Sequence, residues 1–229
     1  MAIPASNKHT KALTTNLGDI TRLKDIHARI TPKGPGRKHD VEVLHKSAIV
    51  LLVACWEAFI EDMAEPTLNW MIVNAKGHKV FPESVLERIS STHQGSKAWL
   101  LAGDGWKQVL RDNLKEVLAR TTATLNTPKS EQVDALFEKT IGLKTLSAAW
   151  HWKGRPAEQS RKSLNDLVTL RGSIAHRVSG ARHVRVKDVS EAEDLICRLA
   201  VKSHNAVCIH VYRIFRRTPW ALIKYGQTQ

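Results

Sequence analysis

Apolar residues recur along this chain at three- and four-residue spacings, the period of helices with one buried face. Leu13, Leu17, Ile20, Leu23, Ile26 and Ile30 mark a first helix that Pro32 must end, and Pro32 to Lys38 reads as a basic loop. Asp40 is placed to cap a long second helix from Val41 towards Ala75, which Pro66 should kink or divide. Phe81-Pro82-Glu83-Ser84 opens a short helix over Val85, Leu86 and Ile89, and the Gly-containing stretch from Ser96 to Gly105 is a connection. Trp106, Val109, Leu110, Leu114, Val117 and Leu118 share a face of the next helix. Thr127-Pro128, a cap followed by Pro at the first helical position, predicts a helix through Val133, Leu136, Phe137 and Ile141. Arg155-Pro156 starts one carrying Leu164, Leu167, Val168, Ile174 and Val178, ended by Ser179-Gly180. Ser190-Glu191-Ala192-Glu193 has the form of a capping box and predicts the start of a last long helix containing Leu195, Leu199, Val207, Val211 and Phe215. No stretch alternates for long with the period of a strand, so the fold class expected is all-α.

Composition narrows this reading without changing it. The chain has 229 residues, 42% hydrophobic and 25% charged, a globular mix in a length that favours one domain. Three cysteines (Cys55, Cys197 and Cys208) exclude a disulfide scaffold and fit a reducing compartment. The longest apolar run, Ala48 to Trp56, is far short of the roughly 20 residues of a membrane span, so a core helix is expected there. Met1 to Gly18 lacks the apolar core of a signal peptide, and the expectation is a cytoplasmic protein with no membrane partner. The 35 Lys+Arg against 22 Asp+Glu, a formal charge of +13, point to a polyanion, with nucleic acid ahead of a membrane surface.

One charge is out of place. At about 100° per residue, Leu164, Leu167, Ile174, Ala175 and Val178 all fall within about 60° of Arg171, which puts a guanidinium in the middle of an apolar stripe. Burying it unpaired would cost several kcal/mol, on the order of the penalty for one buried ion. The site must be paired, or open to a cleft or interface; a snorkelling arginine or a structural ion pair is the plain alternative. His176 lies about 140° round the same helix, beside the small and polar strip of Asn165, Thr169, Gly172 and Ser173. Gly172 lowers helix propensity by about 1 kcal/mol relative to Ala, which suggests close approach of a neighbour or ligand.

Arg171-x-x-x-x-His176 after an apolar helix resembles the R-x4-H motif of the HEPN superfamily, all-α domains that include many metal-independent ribonucleases. Leu51 to Asp62, with Trp56-Glu57-Ala58-Phe59 inside it, resembles the long second helix of the prokaryotic branch that holds the RiboL-PSP-HEPN domain and its near relatives. The resemblance spans about Val41 to Arg217. It implies a HEPN-like helical bundle with long antiparallel helices over residues 41–217, preceded by an N-terminal helix and basic loop (1–38) and followed by a tail (218–229) in one all-helical domain. Gly172 stands where members often carry a polar residue, with Ser173 the nearest hydroxyl. Val178 stands where some toxin members carry a tyrosine that a partner enzyme adenylylates, so that control is not expected.

The implied activity is RNA cleavage by attack of the ribose 2′-OH, with Arg171 and His176 catalytic and neither metal nor cofactor required. A histidine titrating near neutrality suits a general base, and an arginine presents a planar fork to a phosphate. The resemblance further implies a homodimer whose two motifs line one cleft, a toxin or phage-defence role, and an antitoxin or other regulatory partner protein. Glu57 and Ser173 are candidate supporting residues, Glu57 as an ion-pair partner of Arg171. Trp150 to Lys187 holds nine Lys+Arg against Glu158 and Asp166, and Arg177, Arg182, Arg185 and Lys187 are the candidates for holding RNA backbone. His204, Cys208, His210 and Cys197 complete no zinc pattern and read as core or groove positions, while Trp150 and Trp152 can stack bases or pack. The rival reading is a catalytically silent HEPN-like module that binds RNA or protein. A DNA-binding protein lacks the helix-turn-helix spacing.

Overall fold

The computed structural model describes residues 7–30, 41–114, 116, 118, 127–176 and 183–226. The long elements among them are all helices: α1 (Lys8–Ile30), α2 (Glu42–Asn74), α3 (Glu83–Thr92), α4 (Gly105–Asp112), α5 (Ser130–Ile141), α6 (Ala157–His176) and α7 (Val186–Phe215). No strand occurs among the described residues, and three short 3-10 turns (His78–Val80, Gly95–Leu101 and Leu146–Ala149) join helices. The all-α expectation holds. The basic loop at Pro32 to Lys38, the caps at Asp40 and Ser179-Gly180, and Val117 and Val178 lie outside the described residues.

The chain divides into two compact units, one of residues 1–59, 150–202 and 223–229, the other of residues 60–149 and 203–222. In the first, Leu13, Leu17 and Ile20 of α1 are buried, as are Ile49, Leu52, Val53 and Trp56 of α2. Leu164 and Val168 of α6 and Ile196 and Leu199 of α7 complete this core. Trp56 meets Trp150 edge-on at 5.8 Å between ring centroids, and His9 meets Phe59 edge-on at 5.4 Å. The segment after α7 returns to this unit, with Ile223 buried and the Tyr225 hydroxyl donating to Asp194. The second unit buries Ile60, Met63, Leu68 and Met71 of α2 with Val85 of α3, Phe137 of α5 and Val211 of α7. Phe81 packs edge-on against Trp106 at 5.7 Å, and Trp70 against Phe215 at 5.4 Å.

Alone among the described helices, α2 is long and apolar enough to cross a membrane, yet half of its most apolar window is buried inside the protein. It is a core helix, as the short apolar run predicts. Pro66 does not divide it. The missing N–H removes one rung of the ladder, and α2 continues through it to Asn74, with the Thr67 hydroxyl donating to Met63 O at 2.6 Å in the turn around the proline.

Two predicted helix starts are displaced, each for a local reason. Lys129 donates its N–H to Thr127 O at 2.7 Å, a three-residue turn that keeps Lys129 extended, so α5 begins at Ser130 and Pro128 precedes the cap. The last helix begins at Val186, four residues before Ser190, because the Asp188 carboxylate accepts the Arg185 N–H at 2.8 Å. Asp188 thus performs the return half of a capping box, and Ser190 sits inside the helix. At the other end of α5, Gly142 adopts φ 78°, and Leu143 N–H reaches Phe137 O at 3.2 Å, a Schellman closure. The first helix is capped by Asn7, whose side-chain oxygen accepts the Thr10 N–H at 3.2 Å.

Candidate functional site

The buried residues of α6 are Ser160, Leu164, Leu167, Val168 and Ile174. They lie within about 60° on either side of Arg171 on a helical wheel. The guanidinium therefore does occupy the middle of the packed stripe. Its side chain keeps 31% exposure, and Nη2 lies 4.0 Å from Oε2 of Glu57, itself 25% exposed, on α2. The cost of placing a charge there is met in two ways at once, by partial access to water and by a counter-charge. Burial pushes the Glu57 carboxyl up from its ordinary range, and the Arg171 charge pulls it back in part. At 4.0 Å and through one nitrogen, the contact is loose, which leaves guanidinium donors available to a phosphate.

His176 is the last residue of α6 and is exposed, as are Ser173 and Ala175 before it. Within one copy of the chain, the helix turns Arg171 and His176 into sectors about 140° apart. The Ser173 hydroxyl donates to Thr169 O at 3.2 Å within its own helix. A Cβ added at Gly172 would meet no atom within 4 Å. Its lack of a side chain serves no packing within the described chain. Arg177 and Arg182 lie outside the described residues, whereas Arg185 and Lys187 are exposed at the start of α7, Lys187 with its Nζ 3.6 Å from Glu191.

The remaining candidates resolve into packing. Trp150 is fully buried, so it does not present a face to a base. Trp152 is partly covered, with the guanidinium carbons of Arg155 and Arg198 each 5.4 Å from its ring centroid. His204 is buried and hydrogen-bonds Ala221 O at 2.9 Å through Nε2, and burial lowers its pKa. Burial pushes the thiols up, Cys55 to about 11 and both Cys197 and Cys208 to about 12, so they remain protonated and unreactive at neutral pH. No group of three or more His, Cys, Asp or Glu able to hold a metal ion occurs among the described residues.

A cluster that periodicity does not reveal secures the entry to α7. His183 Nδ1 lies 2.7 Å from Glu42 Oε2, and Lys46 Nζ lies 3.0 Å from Glu42 Oε1. These contacts hold the Glu42 carboxyl down at about 2. Next to it, His45 Nδ1 hydrogen-bonds Val184 O at 3.0 Å, and the His27 ring stands 4.8 Å from His45. The Glu42–Lys46 spacing is readable as an i, i+4 pair, but His183 is 141 residues away and no local signal links it.

The fold, its charged interruption and its helix order can be set beside known proteins. No curated protein and no solved structure matches the chain. A family model does: RiboL-PSP-HEPN matches residues 12–208, from the first turns of α1 into the second half of α7, and covers both α2 and α6. That match takes in most of the chain, and the protein belongs to the RiboL-PSP-HEPN family of the HEPN superfamily.

Proposed function

We propose that this protein is a metal-independent endoribonuclease in which Arg171 and His176 act on one RNA phosphate. HEPN domains are often of ribonuclease type. The observation that carries the reading is Arg171 itself, a half-exposed guanidinium at the centre of a packed stripe, loosely held by Glu57 and followed five residues later by an exposed histidine. A purely structural arginine would be drawn into close, multiple hydrogen bonds by its burial, and this one is not.

In the proposed reaction His176 accepts the proton of a ribose 2′-OH, and the oxygen attacks the adjacent phosphorus. The bond to the 5′-oxygen breaks, that oxygen takes up a proton, and the products are a 2′,3′-cyclic phosphate and a 5′-hydroxyl. Arg171 stabilises the charge that gathers on the non-bridging oxygens. The sectors of Arg171 and His176 diverge within one chain, so two copies facing one another bring the arginine of one to the histidine of the other. A toxin or phage-defence setting, with a partner protein restraining the activity, accords with this reading.

Of the 35 Lys+Arg, 21 fall in the unit that holds α6, against 11 of the 22 Asp+Glu, so ten of the 13 excess positive charges belong to that unit. Arg185 and Lys187 contribute to holding RNA backbone. Replacing either with alanine is expected to weaken binding of a single-stranded RNA regardless of its sequence. The slope of log K against log salt should fall by about 0.7 per residue, read from a titration at several salt concentrations.

The test of the activity is direct. Purified protein is incubated with end-labelled single-stranded RNA and transfer RNA in the presence of a chelator, and the fragments are examined for cyclic phosphate ends. Chelator-resistant cleavage with those ends is the expected result. Binding without cleavage would overturn it in favour of a silent RNA-binding module.

A further inference from the structure

A groove of about 1150 Å³ runs along α6 and the first half of α7 within the first unit. Ile49, Leu167, Leu170, Ala192 and Leu195 line it together with Ser163, Thr169, Ser173 and Ser190, so that apolar side chains make up about half of its surface. Its charge is the reverse of its surroundings. Among its described residues the unit has 16 basic and ten acidic ones, yet those lining the groove are Asp166, Asp188, Glu191 and Asp194 against Arg155 and Lys187. Among the described residues, four of the unit's ten carboxylates face this one cavity and two of its 16 cations.

Two of the four carboxylates are engaged inside the protein. Asp188 accepts the Arg185 N–H, and Asp194 is held by the Arg198 guanidinium at 2.7 Å and by the Tyr225 hydroxyl. Glu191 meets Lys187 at 3.6 Å with both side chains largely exposed, a contact worth little in water. Asp166 is exposed and forms no hydrogen bond or ion pair among the described residues. Asp166 and Glu191 therefore stand beside the apolar part of the lining with their charge available.

An RNA strand is a poor occupant, because its phosphates would meet these carboxylates. The stretch of α6 that lines the groove, Ser163 to Ser173, spans about 15 Å of helix rise, roughly three turns of a helix laid alongside. We infer that the groove docks a cationic amphipathic helix of a partner protein, with apolar side chains on the apolar part of the lining and Lys or Arg against Asp166 and Glu191. Thr169 and Ser173, which line it, lie about 20° and 60° round α6 from His176. A docked helix would thus cover the flank of α6 next to that histidine. The docking does not depend on the ribonuclease reading; only its effect on cleavage does.

The probes are two fluorescein-labelled 14-residue amphipathic peptides, one of leucine and lysine and one of leucine and glutamate, measured by anisotropy against the full chain. A protein of charge +13 should favour the acidic peptide if only overall charge acts. The expected result is the opposite, the Leu/Lys peptide binding roughly tenfold tighter, with the preference reversed in Asp166→Lys/Glu191→Lys. Hydrogen exchange should then protect residues 163–173 and 187–195. Equal binding, preference for the Leu/Glu peptide, or an unchanged preference in the double variant would overturn the inference. So would self-association that the double variant abolishes, which would assign the groove to a second copy. Because no arm of this experiment requires cleavage, its failure and the failure of the ribonuclease reading are separate events.

Discussion

Replacing Arg171 with alanine is expected to lower RNA cleavage by about 10²–10³-fold, the loss typical when one preorganised donor to a developing oxyanion is removed. His176→Ala should cost about 10²–10⁴-fold, the range for a general base. Cleavage rates on one labelled RNA, with binding measured in parallel, check both. If either variant cuts RNA at the wild-type rate without metal, the assignment fails. Glu57→Gln supplies the companion measurement. Burial raises the Glu57 carboxyl, so at low pH the group is neutral and carries no penalty; as pH rises through its titration, a charge must be held in desolvated surroundings and stability is lost. Glutamine removes that penalty. The variant should be as stable as wild type or more so at neutral pH, yet cleave more slowly because Arg171 loses its only counter-charge among the described residues. In Arg171→Ala the opposite holds. The guanidinium no longer pulls the Glu57 carboxyl down, and stability should fall more steeply than wild type between acidic and neutral pH. Thermal unfolding across that pH range reads the difference, which a merely structural arginine with an inert neighbour would not produce.

Helical periodicity made the fold legible because most of these helices bury one face, and a stripe of apolar residues at the helical period has few other solutions. The same periodicity exposed Arg171, since the anomaly exists only against a regular background. What could not be read falls into two kinds. Helix starts depend on single hydrogen bonds: Asp188 to Arg185 N–H outcompetes the better-looking box at Ser190, and the Lys129 turn overrides Thr127-Pro128. Long-range polar contacts have no sequence signature, which is why His183 on Glu42 and Tyr225 on Asp194 emerge only with the fold. Glu57 is intermediate. Its position at the edge of an apolar run suggests a boundary, and only α6 packing beside α2 turns it into the partner of Arg171. Gly172 is legible only as an oddity: its smallness serves no neighbour among the described residues, where open space surrounds it.

The largest effect on stability is expected at the Trp56–Trp150 contact. Both rings are fully buried and meet edge-on at 5.8 Å, and Trp56 also stacks on Phe59 at 6.0 Å. Trp150→Ala should cost about 4 kcal/mol, from lost burial and the cavity left in a close-packed core, and lower the melting temperature by roughly 10 °C. Trp56→Ala should cost about as much. The double variant should fall short of the sum by about 0.5–1.5 kcal/mol, the share belonging to the ring pair itself. Denaturant unfolding of the four proteins gives all three quantities. Trp152→Ala is the contrast, because its ring lies under two guanidinium groups at the surface and should cost about 1 kcal/mol. If Trp150→Ala left stability unchanged while weakening RNA binding, the tryptophan would have to reach the surface to stack a base, and the core described here would be wrong. Loss of stability with RNA affinity per folded molecule intact is the expected pattern. It follows from the position of the residue: a ring that closes the core two residues before an exposed turn carries the fold that presents α6, and has no face to offer a base.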